Sequence, residues 1–262
     1  MSNDSVGRTF GVALGVCLVC SVLVSVAAVS LRPIQAVNKA LDKKRNILMA
    51  AGFIKPGEVV GGERIEELYK NVDPRVVDLA TGEYADVDPA SFDQRTEAKD
   101  LAASVAIPTK EDYGGIKRRA QRASVYLVSQ RGRVRKVIIP VHGKGLWSTL
   151  YGFIALDVKD INTVRGLVYY EHGETPGLGG EVDNPNWKAL WDGKRVFDES
   201  GAMRIEVIKG KVVQGRPETV HQVDGLSGAT ITSRGVSNML RYWLGEGGYG
   251  KYLAKLKQQG VS

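Results

Sequence analysis

Asp224-Gly225-Leu226-Ser227-Gly228-Ala229-Thr230-Ile231-Thr232-Ser233 gathers small residues and hydroxyls just ahead of an amphipathic run. Beyond it, Val236, Met239, Leu240, Trp243 and Leu244 recur at helical spacing, so the stretch reads as the start of a helix with one apolar face. A helix N-terminus carries unpaired backbone N–H groups and the positive end of the helix dipole, a combination that suits a phosphate. Glycine lets the backbone approach closely, and threonine offers a hydroxyl to which a phosphoryl group can be attached. The same residue types also begin many ordinary helices, where a Ser or Thr simply caps the first turn. On physical grounds both readings stand.

Working back from this helix, the chain alternates toward strands. Ser124 to Gln130 and Val134 to Val141 flank the turn Arg131-Gly132 and read as a hairpin. Tyr151 to Val158 and Val164 to Tyr170 add two strands joined by the polar turn at residues 159–162. Met203 to Ile208 and Val212-Val213 suggest a further hairpin around Lys209-Gly210. Short strands followed by a terminal helix indicate an α+β domain with an antiparallel sheet, expected over residues 124–262. Residues 32–123 read as a helical and loop-rich lobe and connector, with a short helix marked by Ile65, Leu68 and Val72 and broken by Pro74, Pro89 and Pro108.

The first 31 residues have a different character. After a short tail at residues 1–9, no charge appears from Phe10 to Leu31. That length meets the roughly 20 residues a helix needs to cross a bilayer core. Serines at 21, 25 and 30 are tolerated because a hydroxyl bonds back to its own helix. A cleaved signal peptide, with Ala27 and Ala28 before the cut, is the competing reading. The apolar stretch exceeds a usual signal core, and the helical pattern continues through Ile34, Val37, Leu41 and Leu48 to Gly52, so a retained single span is expected. Arg8 alone precedes the span, while Arg32, Lys39, Lys43, Lys44 and Arg45 follow it. Counted alone, those charges place the large C-terminal part in the cytoplasm, although long domains translocate largely regardless of flanking charge.

Both cysteines, Cys17 and Cys20, lie inside the span and read as small hydrophobes, with no His, Asp or Glu nearby to complete a metal shell. No metal site is expected. The rest of the chain has no cysteine, so its fold rests on core burial without disulfides. A net charge of +7 raises the question of nucleic acid. The basic cluster at Lys117, Arg118, Arg119 and Arg122 lacks interleaved aromatics, so a solvated or lipid-facing surface is the reading and no nucleic-acid partner is expected.

Two Gly-rich stretches complete the chemistry. His142-Gly143-Lys144-Gly145-Leu146-Trp147-Ser148 runs toward Tyr151, where glycines would let a planar ring approach the backbone under Trp147 or Tyr151. A glycine loop with core aromatics reads equally well. His172-Gly173-Glu174-Thr175-Pro176-Gly177-Leu178-Gly179-Gly180 follows a strand and fixes an unusual backbone path that presents N–H groups, or it is a surface turn. No Ser-His-Asp spacing appears, so no catalytic residue is assigned.

Asp224-Gly225-Leu226-Ser227-Gly228-Ala229-Thr230 resembles the flavinylation motif of the FMN-binding domain family, and Glu174-Thr175-Pro176-Gly177-Leu178-Gly179 resembles that family's isoalloxazine-lining loop. The resemblance covers roughly the last half of the chain. It implies one covalent FMN per chain, esterified to Thr230 by a dedicated flavin transferase. It also implies that Asp224, Ser227, Gly228, Ala229 and Thr232 belong to the cofactor site, with Thr232 bonding the phosphate or capping the helix and Asp224 orienting the loop or assisting the transferase. Trp147, Tyr151, Glu174, Thr175, Pro176, Gly177, Leu178 and Gly179 are implied at the ring. With the N-terminal span and the total length, the likeness narrows to the electron-relaying flavin subunits of Na+-translocating NADH:ubiquinone reductases. Such a protein is inactive alone and sits in the bacterial inner membrane among other membrane subunits, with its bulk on the periplasmic side. The related Rnf-type flavin protein, a free-standing anchored flavoprotein and an anchored non-redox binding module are the alternatives.

Overall fold

A computed structural model describes residues 6–259; residues 1–5 of the expected tail and the last three residues lie outside the described residues. Two compact units divide after Lys43. Helix α1 (Val6–Ala51) runs without interruption for 46 residues. Its most apolar window has a mean hydropathy of 2.7 and buries none of its side chains within the protein, as a lipid-facing segment requires. The Ser30 hydroxyl donates to the Val26 and Ala27 carbonyls at 2.8 and 3.1 Å, which satisfies it inside the helix. Gly52 ends the helix with φ +78°. Gly52 N donates to Met49 O and Phe53 N to Leu48 O, the paired bonds of a Schellman cap.

The larger unit is built on a five-stranded antiparallel sheet in the order β1 (Val72–Asp78), β4 (Arg122–Gln130), β5 (Arg133–Lys144), β6 (Thr149–Asp157), β7 (Val164–Glu171). The last four strands form a meander. The β4–β5 turn places Arg131 at φ 54° and Gly132 at φ 74°, the mirror-image turn whose twist suits a tight hairpin. Strands β2 (Ser104–Ala106) and β3 (Arg118–Ala120) pair separately. The short β8 (Glu206–Val207) and β9 (Gln222–Val223) pair in parallel. Helices α2 (Gly62–Tyr69), α3 (Gln94–Glu97), α4 (Pro185–Ala189), α5 (Thr230–Leu244) and α6 (Gly250–Gln259) flank the sheet.

Alternation along the strands creates two buried faces. Val125, Leu127, Val137, Ile139, Val141, Leu150, Ile154 and Leu156 point into the main core with Val236, Met239, Leu240 and Trp243 of α5. Tyr126, Ile138, Phe153 and Val168 occupy the opposite rows and are also buried. On that side the carbonyl of Ala50 approaches Gly166, and Lys136 donates to Ala51 O at 2.6 Å. A lysine at a helix C-terminus satisfies an orphan carbonyl and favours the dipole. Burial pushes the Lys136 ammonium below its ordinary value.

Three expectations change. Val72, read as helical, begins β1, and β1 comes from the stretch read as connector; Pro74 is accommodated because β1 is an edge strand. The sheet therefore begins at Val72 rather than near Ser124. The 203–213 stretch is not a hairpin: β8 pairs with β9, while Gly210, at φ +84°, accepts from Gly225 N.

Helix α5 packs closely on β5 through Gly235, where an added Cβ would stand 2.3 Å from Lys144 O. A Gly→Ala change inside a helix ordinarily stabilises by about 0.5–1 kcal/mol. Here the clash with backbone reverses the sign, and Gly235→Ala is expected to cost about 1–3 kcal/mol. Thermal unfolding of the full chain in detergent checks this; a raised midpoint would contradict it.

Candidate functional site

Three segments distant in sequence meet at one end of the sheet: the β5–β6 turn at residues 145–148, the loop after β7, and the start of α5. Glu174 joins them. Its buried carboxylate accepts from the backbone N–H groups of Leu146 (3.1 Å), Trp147 (3.0 Å) and Ser148 (3.0 Å). It also accepts from the Ser148 hydroxyl at 3.2 Å and the Thr232 hydroxyl at 2.7 Å. Burial pushes this carboxyl up, but the Thr232 and backbone donors outweigh it and hold Glu174 below its ordinary value. Glycine is required around the knot. A Cβ at Gly145 would stand 2.6 Å from Glu174 Oε1, and one at Gly179 would meet Glu174 Oε2 at 2.6 Å and Thr232 Oγ1 at 2.7 Å.

The loop is braced from its other side. His172 Nδ1 accepts from Glu174 N at 3.3 Å, which leaves Nε2–H to donate to Asp183 at 3.1 Å. Lys188 reaches the same Asp183 at 3.2 Å. His142 faces a different set of groups, between the rings of Tyr151 and Trp243 at 5.4 and 4.7 Å. Burial, aided by Arg95, pushes its imidazole down to about 4.

Above this knot, Thr230 occupies the first position of α5 and is exposed. Among the described residues, no side chain caps the helix. Among the described residues, no hydrogen bond engages the Thr230 hydroxyl. Ser233 lies at 4 % exposure, and its hydroxyl accepts from Leu226 N at 3.1 Å, tying the incoming loop to the first turn. Gly228 adopts φ +70° and sits so close to Leu178 that a Cβ would be 2.8 Å from Leu178 Cδ2. Thr230, Ser227 and Gly228 line an open groove of about 1100 Å3 between α5 and the 203–211 segment.

The residues expected at the cofactor thus fall into distinct positions. Residues 175–178 are exposed, with Leu178 beside Gly228 at 44 % exposure, and Trp147, whose N–H bonds to Glu174, is exposed at 69 %. Ala229 and Gly179 are buried. Glu174 and Thr232, also expected at the cofactor, are buried and bonded to each other, because the third position of the helix turns Thr232 back under the loop. Asp224 accepts from Val212 N at 2.8 Å, and its carbonyl accepts from Trp187 Nε1, so it clamps the loop's base. Tyr151, also expected at the ring, falls on the opposite sheet rows, where Arg95 lies 3.7 Å over its ring. Sequence reasoning missed the wall that α5 itself gives the groove. Arg234, Asn238 and Arg241 stand four, eight and eleven positions beyond Thr230, a single helix face that spacing alone reveals.

Residues 145–245 match the FMN-binding domain family, a span that opens within the first Gly-rich stretch, at the β5–β6 turn, and contains the second one and Thr230. Over 98 % of its length the chain is 50 % identical to NqrC, the C-type component of the Na(+)-translocating NADH-quinone reductase of Pseudomonas aeruginosa, of which it covers 98 %. The chain belongs to the NqrC family. The Yersinia pestis member is 46 % identical over 98 % of this chain and 95 % of its own length. The crystal structure of Shewanella oneidensis NqrC superposes with a TM-score of 0.75 at 39 % identity, covering 84 % of this chain and 99 % of that one. The α+β fold and the FMN-binding domain are shared with this family, whose members are subunits of an oxidoreductase complex.

Proposed function

We propose that this chain is the covalently flavinylated, electron-relaying subunit of a Na+-translocating NADH:quinone reductase, carrying one FMN esterified through its phosphate to Thr230. The observation that carries the reading is the Thr230 hydroxyl itself: exposed, without a hydrogen-bonding partner among the described residues, and seated at the first position of an uncapped helix. The N–H groups of that first turn and the helix dipole favour a phosphate at this place. The membership of the NqrC relatives in a multi-subunit reductase supports the assignment to such a complex.

FMN, when bound, supplies the redox chemistry. The chain's own residues hold it. Thr230 provides the point of attachment, Gly228 allows close approach, and Leu178 and Trp147 provide apolar cover. Glu174 and Thr232 act indirectly, by fixing the loop after β7 against α5. Attachment through a covalent bond makes retention independent of affinity, which suits a domain outside the cytoplasmic flavin pool. The partners are the other membrane subunits and, during maturation, a flavin transferase. α1 anchors the chain in the bacterial inner membrane with the larger unit on the periplasmic side. Expression with and without a flavin transferase tests the reading: a fluorescent band on a denaturing gel appears only with the transferase, and a dark band in both sinks it.

A further inference from the structure

We propose that the cationic groove beside Thr230 is the docking surface for an acidic segment of a neighbouring subunit; the inference rests on the reading of this chain as one subunit of a redox complex. Among the described residues, five basic side chains line the groove and Glu206 is its one carboxylate. Arg204 is already paired with Asp198 at 2.8 Å, and Arg241 lies 4.5 Å over the ring of Tyr113. Among the described residues, Lys209, Lys211 and Arg234 make no ion pair, and all three are exposed. Some basic side chains elsewhere on this domain are paired with carboxylates, as in Arg165–Asp157, Lys188–Asp183 and Arg95–Glu171; the groove is distinguished by three exposed cations side by side with a single carboxylate among its described lining residues.

This concentration of one sign exceeds what a flavin needs. A phosphodiester at Thr230 carries a single negative charge and leaves an excess of unneutralised cations around it. The groove is concave and backed by buried apolar side chains such as Ile205, Val207 and Leu226, which focus the field toward its mouth. A planar array of lipid headgroups does not enter a concavity. The lining contains no aromatic ring on which a nucleobase would stack. A polypeptide segment bearing Asp and Glu side chains meets both the shape and the charge, through charge-assisted hydrogen bonds to lysine and arginine. Docked there, it lies next to the attachment residue, where electrons enter or leave the chain.

Carbodiimide, which joins a lysine only to a carboxylate in direct contact, tests this on the intact complex in its native membrane. The expected product is a cross-link from Lys209 or Lys211 to an Asp or Glu of another subunit, lost in the double variant Lys209→Gln/Lys211→Gln. In parallel, the triple variant Lys209→Glu/Lys211→Glu/Arg234→Glu is expected to lower quinone reduction at low salt by about tenfold and to flatten its dependence on salt. In-gel flavin fluorescence of that variant stays unchanged. Absence of any intersubunit link from these lysines, with turnover of the triple variant unaltered across salt, overturns the proposal. Loss of flavin in the triple variant also overturns it, because the groove would then serve the flavin or its transferase. A wild-type chain that forms the link but carries no flavin would refute the flavin reading and uphold the docking surface.

Discussion

Thr230→Ala abolishes flavin attachment and lowers quinone reduction by the assembled complex at least about 100-fold, equivalent to more than about 2.7 kcal/mol. The chain has no other route to the same chemistry, because none of its side chains carries electrons at physiological potentials as a flavin does. Stability does not explain the loss. Thr230 is exposed, has no side-chain bond among the described residues, and occupies a helix position where alanine is favourable, so unfolding shifts by no more than about 0.5 kcal/mol. Thr230→Ser keeps the hydroxyl and is expected to retain attachment, with turnover within about tenfold of wild type. Turnover, gel fluorescence and thermal unfolding measured together separate these cases. Equal flavin content in Thr230→Ala and wild type would remove Thr230 from the account.

Glu174→Gln has the second largest expected effect, and it falls on stability. The carboxylate receives five hydrogen bonds from Leu146, Trp147, Ser148 and Thr232. An amide offers one acceptor oxygen and turns an NH2 group against N–H and O–H donors that have nowhere else to go. Hydrogen bonds to a charged group are worth about 1.5–3 kcal/mol each, and a buried donor left unpaired costs about 1–3 kcal/mol. A loss of about 3–5 kcal/mol follows, larger than for Thr232→Val, which removes one donor at about 1–3 kcal/mol.

The pH dependence has a definite sign. Glu174 is held below its unfolded value, so its stabilisation is complete above the ordinary carboxylate range of about 4.3 and disappears as pH falls through the lower folded value. The wild type loses stability over that acid window, and Glu174→Gln loses less there because its deficit is already present at neutral pH. Parallel acid limbs in the two proteins would show that the carboxylate does not hold the loops.

Local signals in the sequence reveal much of this architecture. The alternation around Arg131-Gly132 marks the β4–β5 hairpin, Gly52 marks the end of α1, and Val236, Met239, Leu240 and Trp243 mark the buried stripe of α5. Strand β1 is hidden because its exposed side is polar and it carries Pro74, both permitted only by an edge position that sequence does not disclose. Helix α6 escapes because its buried set is short, limited to Tyr252, Leu253 and Leu256. Thr230 is legible as a candidate from its place before a helix. The Glu174–Thr232 bond spans 58 positions, and no local pattern announces that these two residues face each other. The surroundings of Tyr151 are hidden for a related reason. It is near the Gly-rich turn in sequence, yet strand alternation sends it to the opposite face, against His142 and Arg95.

Mapping the modified peptide tests the central claim most directly. Trypsin does not cut before proline, so Arg216-Pro217 survives and Thr230 is carried in a single peptide, residues 212–234. After expression with the flavin transferase, attachment at Thr230 predicts that this peptide gains the mass of one FMN less a water, with fragment ions locating the gain on Thr230. An unmodified peptide, or the same added mass on Ser227, Thr232 or another residue, would contradict it.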